Sequence, residues 1–129
     1  MFWVGLSDYT SAAQIEDLKS KSGNIYSIYD IRVQGIEKVV EDIVQKLSNY
    51  KYVYVSLDTD VLDPSCFPGV SGPPLYGMSM YELLYLLHGL WNVPVKAFDV
   101  VEHAPDLDAT GNSSYQIAQL LFKNIFHFI

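Results

Sequence analysis

Positive charge is scarce in this chain of 129 residues: eight Lys and Arg stand against fifteen Asp and Glu, for a net charge of −7, and Arg32 is the only arginine. Gripping a phosphate backbone takes clustered cations, so nucleic acid is excluded as a partner. The single cysteine, Cys66, excludes a disulfide framework and a cysteine-based metal site. The longest apolar runs, such as Leu83–Leu87, fall far short of the roughly 18 residues of a membrane span, so no membrane association is expected. Met1–Gly5 has neither a basic n-region nor a full apolar h-region, and no secretory signal is expected. Repeats, low-complexity tracts and charge blocks are also missing. These absences together predict a cytoplasmic, reducing location.

What the chain does have is apolar surface. Half of its residues are apolar and 14% are aromatic, with only 18% charged, against roughly 25% charged in an ordinary soluble domain. Disorder is excluded, because it needs the opposite balance. A chain of this length hides only about two-thirds of its surface on folding. The apolar excess therefore predicts a homo-oligomer or a piece of a larger protein, with residues 1–129 acting as a single unit.

Short, nearly continuous apolar runs at Phe2–Leu6, Tyr52–Leu57 and Val95–Val101, and a weaker one at Ile25–Tyr29, predict strands buried on both faces of a parallel sheet. Between them lie helical patterns. Over Ile31–Leu47 the apolar residues Val33, Ile36, Val39, Val40, Ile43, Val44 and Leu47 recur every three or four positions opposite a charged side. Ser79-Met80-Tyr81-Glu82 opens another helix with a capping-box pattern, running to about Trp91. Asn112 or Ser113 caps a last helix through Ile125, and Ser11–Lys21 is a shorter candidate. Strand and helix in alternation predict an α/β fold: a three-layer parallel sheet with flanking helices. Residues 61–78, with Pro64, Pro68, Pro73 and Pro74, form a long loop at the C-terminal end of a strand, where α/β proteins place ligands.

That loop begins with chemistry. The strand ending at Leu57 runs into Asp58-Thr59-Asp60. Side chains two apart on a strand share a face, so Asp58 and Asp60 are expected to converge at the sheet edge, with Thr59 turned to the other side. Two such carboxylates repel each other and lose solvation, which a divalent cation relieves; the plainer alternative is one aspartate capping the loop and one solvated. Asp63, held extended by Pro64, is read as a turn-making structural residue. A second strand ends in Val100-Val101-Glu102-His103. Glu102 either receives a cationic group, for which a planar guanidinium is a natural match, or is simply exposed. His103 is a ligand, a substrate contact or an ordinary, partly exposed loop residue, the last being the plainest reading. Asp99, inside the strand, needs a hydrogen-bond partner. His88 and His127 are expected to pack, and Cys66 has no base to make it a nucleophile.

Taken together, Ser56-Leu57-Asp58-Thr59-Asp60-Val61-Leu62-Asp63-Pro64, Pro68-Gly69-Val70-Ser71-Gly72-Pro73, Val100-Val101-Glu102, Pro105 and Asp108-Ala109-Thr110-Gly111 resemble the C-terminal half of the ureohydrolase (arginase) family of arginases, agmatinases and formimidoylglutamases. Val4-Gly5-Leu6-Ser7-Asp8 extends the likeness towards the start of the chain. The resemblance implies a partial arginase-like fold and a hydrolase with two Mn²⁺ ions, cleaving the C–N bond of a linear guanidino or formimino substrate. It places Asp58 on both metals, Asp60 on one of them, and Glu102 on the substrate. The family's Gly-Gly-Asp-His and Asp-Ala-His-x-Asp segments do not occur here, nor does its proton-shuttling histidine. The implied reading is therefore a fragment that carries part of the metal site and is inactive alone. Pro68–Pro73 leans towards the formimidoylglutamase-like and agmatinase-like branches without fixing the substrate.

The alternative is a non-catalytic ureohydrolase-like module that serves as a structural or interaction piece, for which the apolar excess is the motive. A phosphoryl-transfer Asp-x-Asp and an EF-hand both fail at Leu62, where each wants a different residue.

Overall fold

The structure, a computed structural model, describes residues 1–7, 10–21 and 23–128, with side-chain burial up to residue 124. In chain order these form β1 (Phe2–Leu6), α1 (Ala12–Ser20), β2 (Asn24–Ser27), α2 (Ile28–Gln34), α3 (Ile36–Leu47), β3 (Val53–Asp58), α4 (Met80–Leu90), β4 (Val95–Val101) and α5 (Asn112–Phe128). Single 3-10 turns follow β3 at Thr59–Val61 and β4 at Pro105–Leu107. β1 pairs with β2 and β3 with β4, both in parallel, as the alternation of strands and helices predicts. Among the described residues the ladders form two parallel pairs rather than one continuous sheet.

Two elements depart from the sequence reading. The strand expected over Ile25–Tyr29 stops at Ser27, whose hydroxyl accepts from the Asp30 N–H at 3.1 Å while the Asp30 carboxylate accepts from the Ser27 N–H at 2.9 Å. That reciprocal capping box starts a helix where apolar content alone suggested a strand. The helix expected over Ile31–Leu47 is divided at Gly35, whose φ of +86° lies outside helical geometry. The break reorients the first segment, so that Ile28 and Ile31 enter the core while Val33, counted in the apolar stripe, is 65% exposed.

The predicted burial of strands on both faces also needs correction. Along β3, Val53 and Leu57 are buried whereas Tyr54 is 63% exposed, and Tyr52 just before the strand is 62% exposed. These strands are covered on one side only. The core on that side joins α3 (Val39, Val40, Ile43) to α4 (Leu83, Leu87, Leu90) and to Phe67 and Met78 of the long loop. Arg32 ties the helices together: Nη1 donates to Glu82 at 2.7 Å and Nη2 to the Gly77 carbonyl at 3.0 Å. Glu82 in turn completes the capping box of Ser79. The chain's one arginine thus holds α2, α4 and the end of the loop in register. No helix among the described residues is long and apolar enough to cross a membrane.

Candidate active site

The loop after β3 is built around buried side chains. Leu62 and Phe67 are fully buried and Val70 and Met78 nearly so. Its two ends are stitched by Met78 N–H to Val61 O at 2.8 Å and Asp63 N–H to Met78 O at 2.9 Å. The strands approach so closely there that a Cβ on Gly77 would lie 2.5 Å from the Leu62 carbonyl carbon. Asp63 holds the first turn, accepting from the Ser65 N–H at 3.0 Å and the Gly77 N–H at 3.2 Å. The Ser65 hydroxyl, which also donates to it, and then these two N–H groups hold its carboxyl below the usual aspartate range. This is the structural role the sequence gives it.

Asp58 is the last residue of β3, and Asp60 sits in the 3-10 turn that follows. The expected strand spacing does not bring them together; the turn does. The Asp58 carboxylate accepts from the Asp60 N–H at 2.9 Å, capping the turn while remaining exposed. Asp60 is half-buried. Its Oδ2 lies where a side chain on Gly72 would stand, since a Cβ there would be 2.7 Å from it. Its Oδ1 is buried and accepts no hydrogen bond from the protein. Burial, then repulsion from Asp58, pushes the Asp60 carboxyl above its ordinary pKa. An oxygen shielded from water without a donor, next to a second carboxylate, is a position that a hard cation satisfies. Among the described residues no group of three or more His, Cys, Asp or Glu gathers to hold an ion. Asp58 and Asp60 alone fall short of such a group.

β4 delivers a third carboxylate to the same end of the strand pair. Asp58 is in register with Val101, and Glu102 follows directly, exposed. His103 faces the loop instead. Its Nδ1 lies 3.1 Å from the Gly69 carbonyl oxygen and its Nε2 lies 3.1 Å from Ser114 Oγ, and its ring packs on Phe67 with centroids 5.6 Å apart. With both nitrogens engaged, the imidazole braces Glu102 against the Pro/Gly loop.

Sequence reasoning missed the residue that secures this brace. Asp108 is buried and accepts from the Ser113 N–H at 2.7 Å and the Thr110 N–H at 2.9 Å. The Thr110 hydroxyl donates to it as well, at 2.6 Å. These donors hold its carboxyl far below the usual range, Thr110 contributing most. Ser113, fixed in this way, accepts from the Gly69 N–H at 2.9 Å. The available signal was the Asp-x-Thr-x-x-Ser spacing, an Asx-type turn opening a helix.

The remaining expectations can be placed as well. Asp99 accepts from the Tyr54 hydroxyl across the exposed strand face. Cys66 has its thiol pushed up by burial, as suits an inert thiol. His88 packs on Trp91 with ring centroids 4.3 Å apart, and the side chain of His127 lies outside the described residues.

Comparison with known proteins gives this geometry a context. The family model described as "Arginase family" matches residues 1–127. The agmatinase of Neisseria gonorrhoeae is 33% identical over 108 residues, covering 81% of this chain and 35% of that protein. The human mitochondrial guanidino acid hydrolase is 28% identical over 105 residues, covering 81% of this chain and 30% of that protein. Among solved structures, formimidoylglutamase from Bacillus subtilis superposes with a TM-score of 0.89 at 26% identity, covering 98% of this chain and 40% of the other. Proclavaminate amidino hydrolase from Streptomyces clavuligerus gives 0.90 at 23% identity, over 99% and 42%. The chain spans about a third of the length of these curated relatives and about two-fifths of the solved ones.

Proposed function

The chain belongs to the arginase family, and from that membership we propose that it forms the C-terminal part of a manganese-dependent hydrolase acting on the C–N bond of a linear guanidino or formimino substrate. The observation that supports this is that Asp58, Asp60 and Glu102 follow the paired ends of two neighbouring parallel strands, Asp58 in register with Val101, with Asp60 Oδ1 buried and unpartnered. Asp58 and Asp60 are the residues that would hold Mn²⁺, as hard oxygen donors. Two divalent ions, when bound, supply a water acidic enough to attack at neutral pH and Lewis-acid polarisation of the substrate.

The chain's own residues do the rest by placement. Glu102 presents a carboxylate to the planar cationic end of the substrate, pairing with its N–H fork and orienting the carbon to be attacked. His103, held by Gly69 and Ser114, supports Glu102 from behind and fixes the rim against which the substrate lies. No histidine of this chain is assigned to proton transfer, and the remaining metal ligands come from the part of the parent protein that the chain does not span. The isolated chain is inactive in this reading, and the parent acts in the cytoplasm on a small molecule.

A Mn²⁺ titration of the chain by calorimetry, beside Asp58→Asn/Asp60→Asn, tests the reading. Weak binding abolished by the double substitution, together with urea or formamide release by the intact parent, is the expected result. Equal behaviour of both chains refutes it. The exposed strip of Tyr52, Tyr54 and Val101 favours a second reading, a non-catalytic module that uses this face for association. That reading requires stability indifferent to Mn²⁺ and to the double substitution.

A further inference from the structure

β3 leaves its partner at Asp58, directly opposite Val101. In a parallel ladder the next hydrogen bond to β4 would come from a backbone N–H of the neighbouring strand, but here the chain turns into Thr59–Val61. A side chain takes over that position. The Thr59 hydroxyl donates to the Val101 carbonyl at 3.1 Å, and Thr59 is 0% exposed, so water does not compete for the bond.

The carbonyl it holds belongs to the peptide joining Val101 to Glu102. Glu102 is the only non-glycine among the described residues with a positive φ, at 63°. A left-handed conformation without glycine persists only where its surroundings over-determine it. On its C-terminal side that restraint is visible: the Ala104 N–H donates to Gly69 O at 2.8 Å, and Val70 and His103 form an isolated bridge. On its N-terminal side the Thr59 hydroxyl holds the peptide plane from which Glu102 turns.

We propose that Thr59 is a positioning residue, whose hydroxyl sets the Glu102 carboxylate relative to Asp58 and Asp60 and thereby fixes how the planar cationic group of the substrate is presented. The proposal rests on the reading that Asp58 and Asp60 take the metal and Glu102 the substrate. Valine has nearly the same shape as threonine but lacks the hydroxyl, so at position 59 it fills the volume and leaves the Val101 carbonyl without a donor. The freed peptide rotates, and Glu102 relaxes out of its left-handed conformation.

The test uses isotope-labelled chain with Thr59→Val and Thr59→Ser, read by NMR without metal and then with Mn²⁺ alone as a paramagnetic probe. Thr59→Val is expected to move the Glu102 Cα and Cβ shifts to those of ordinary backbone. It should also change the Mn²⁺-induced broadening of the Glu102 carboxylate, while broadening at Asp58 and Asp60 stays as in the unsubstituted chain. Thr59→Ser restores both. Glu102 shifts and broadening that survive Thr59→Val, or a serine variant that behaves like valine, overturn the proposal. Should Thr59→Val fail to fold, Thr59→Ala removes the hydroxyl without a branched methyl, and the same outcomes decide. Absence of Mn²⁺ broadening at Asp58 and Asp60 in the unsubstituted chain overturns the metal reading instead, while the metal-free shifts still decide whether Thr59 locks Glu102.

Discussion

Asp60→Asn should stabilise the metal-free chain and weaken it in the presence of metal, so that two melting curves cross. Asp60 has a buried Oδ1 without a donor and a neighbouring like charge in Asp58. Neutralising it removes a repulsion worth about 0.2–1 kcal/mol, the range for partly exposed charge pairs. For a domain of this size that is about 1–4 °C in Tm. The sign with pH follows from linkage. A carboxyl whose folded pKa is raised binds its proton more tightly in the native state, so stability falls as pH rises from about 3.9 through the raised value and stays lower above it. The asparagine variant lacks this term. Its advantage is therefore present at pH 7 and vanishes below the ordinary aspartate range. Saturating Mn²⁺ reverses the order, because a ligand at a hundred times its Kd stabilises by about 2.7 kcal/mol, and Asp60→Asn loses that gain. Thermal melts by circular dichroism at pH 7 and pH 3, with chelator and then with Mn²⁺, make the measurement. A variant melting at or below the unsubstituted chain in chelator at pH 7 refutes the account of Asp60 as a frustrated carboxylate.

Gly77→Ala places a Cβ 2.5 Å from the Leu62 carbonyl carbon and 2.6 Å from Asp63 N, so a backbone shift costing about 1–3 kcal/mol should appear as a lower urea midpoint. Asp108 has its carboxyl held low by Thr110 and Ser113, so its contribution is present above the ordinary aspartate pKa and is lost as pH falls through the folded value. Asp108→Asn should therefore be less stable at pH 7, with the gap closing on acid titration followed by tryptophan fluorescence; a gap that widens in acid contradicts this. The one-sided covering of β3 and β4, with Tyr54 63% exposed, predicts association by light scattering at micromolar concentration. Tyr54→Lys should reduce it, and a monomer before substitution would contradict the expectation.

Most of the secondary structure was legible because its periodicities were strong. α3 and α4 bury their apolar stripes where the sequence places them, and the Ser79 capping box opens α4 as its spacing predicts. The failures were local. At Ser27 a capping box outweighed β-propensity, and at Gly35 a positive φ broke a stripe that continued on paper. Both show side-chain hydrogen bonding and backbone sterics overriding hydrophobic pattern. The expectation of strands buried on both faces failed for a different reason. Continuous apolar runs record the environment for which a strand is suited, and Tyr54 and Val101 carry that composition on a face this chain does not cover.

The candidate carboxylates were legible as residues but not as geometry. Asp58, Asp60 and Glu102 stand out because carboxylates rarely end apolar strands without a purpose, and that signal needs no coordinates. Their relation could not be read the same way. Strand spacing assigned Asp58 and Asp60 to one face, whereas a 3-10 turn brings them together with Asp58 capping it. For His103 the sequence left a ligand, a substrate contact and an ordinary loop residue open; its distances to Gly69 and Ser114 show what it holds. Asp108, which accepts three hydrogen bonds, looked ordinary because its partners follow it within five residues and carry no charge. The pattern has a physical cause. Asp60 Oδ1 is short of internal donors, as the proposed cation site requires, whereas the carboxylates of Asp63 and Asp108 are saturated by the scaffold they hold. Asp99 Oδ1 is also buried without a donor, so an unpartnered oxygen marks a candidate only where a second carboxylate and a ligand-placing loop stand beside it, as they do at Asp60.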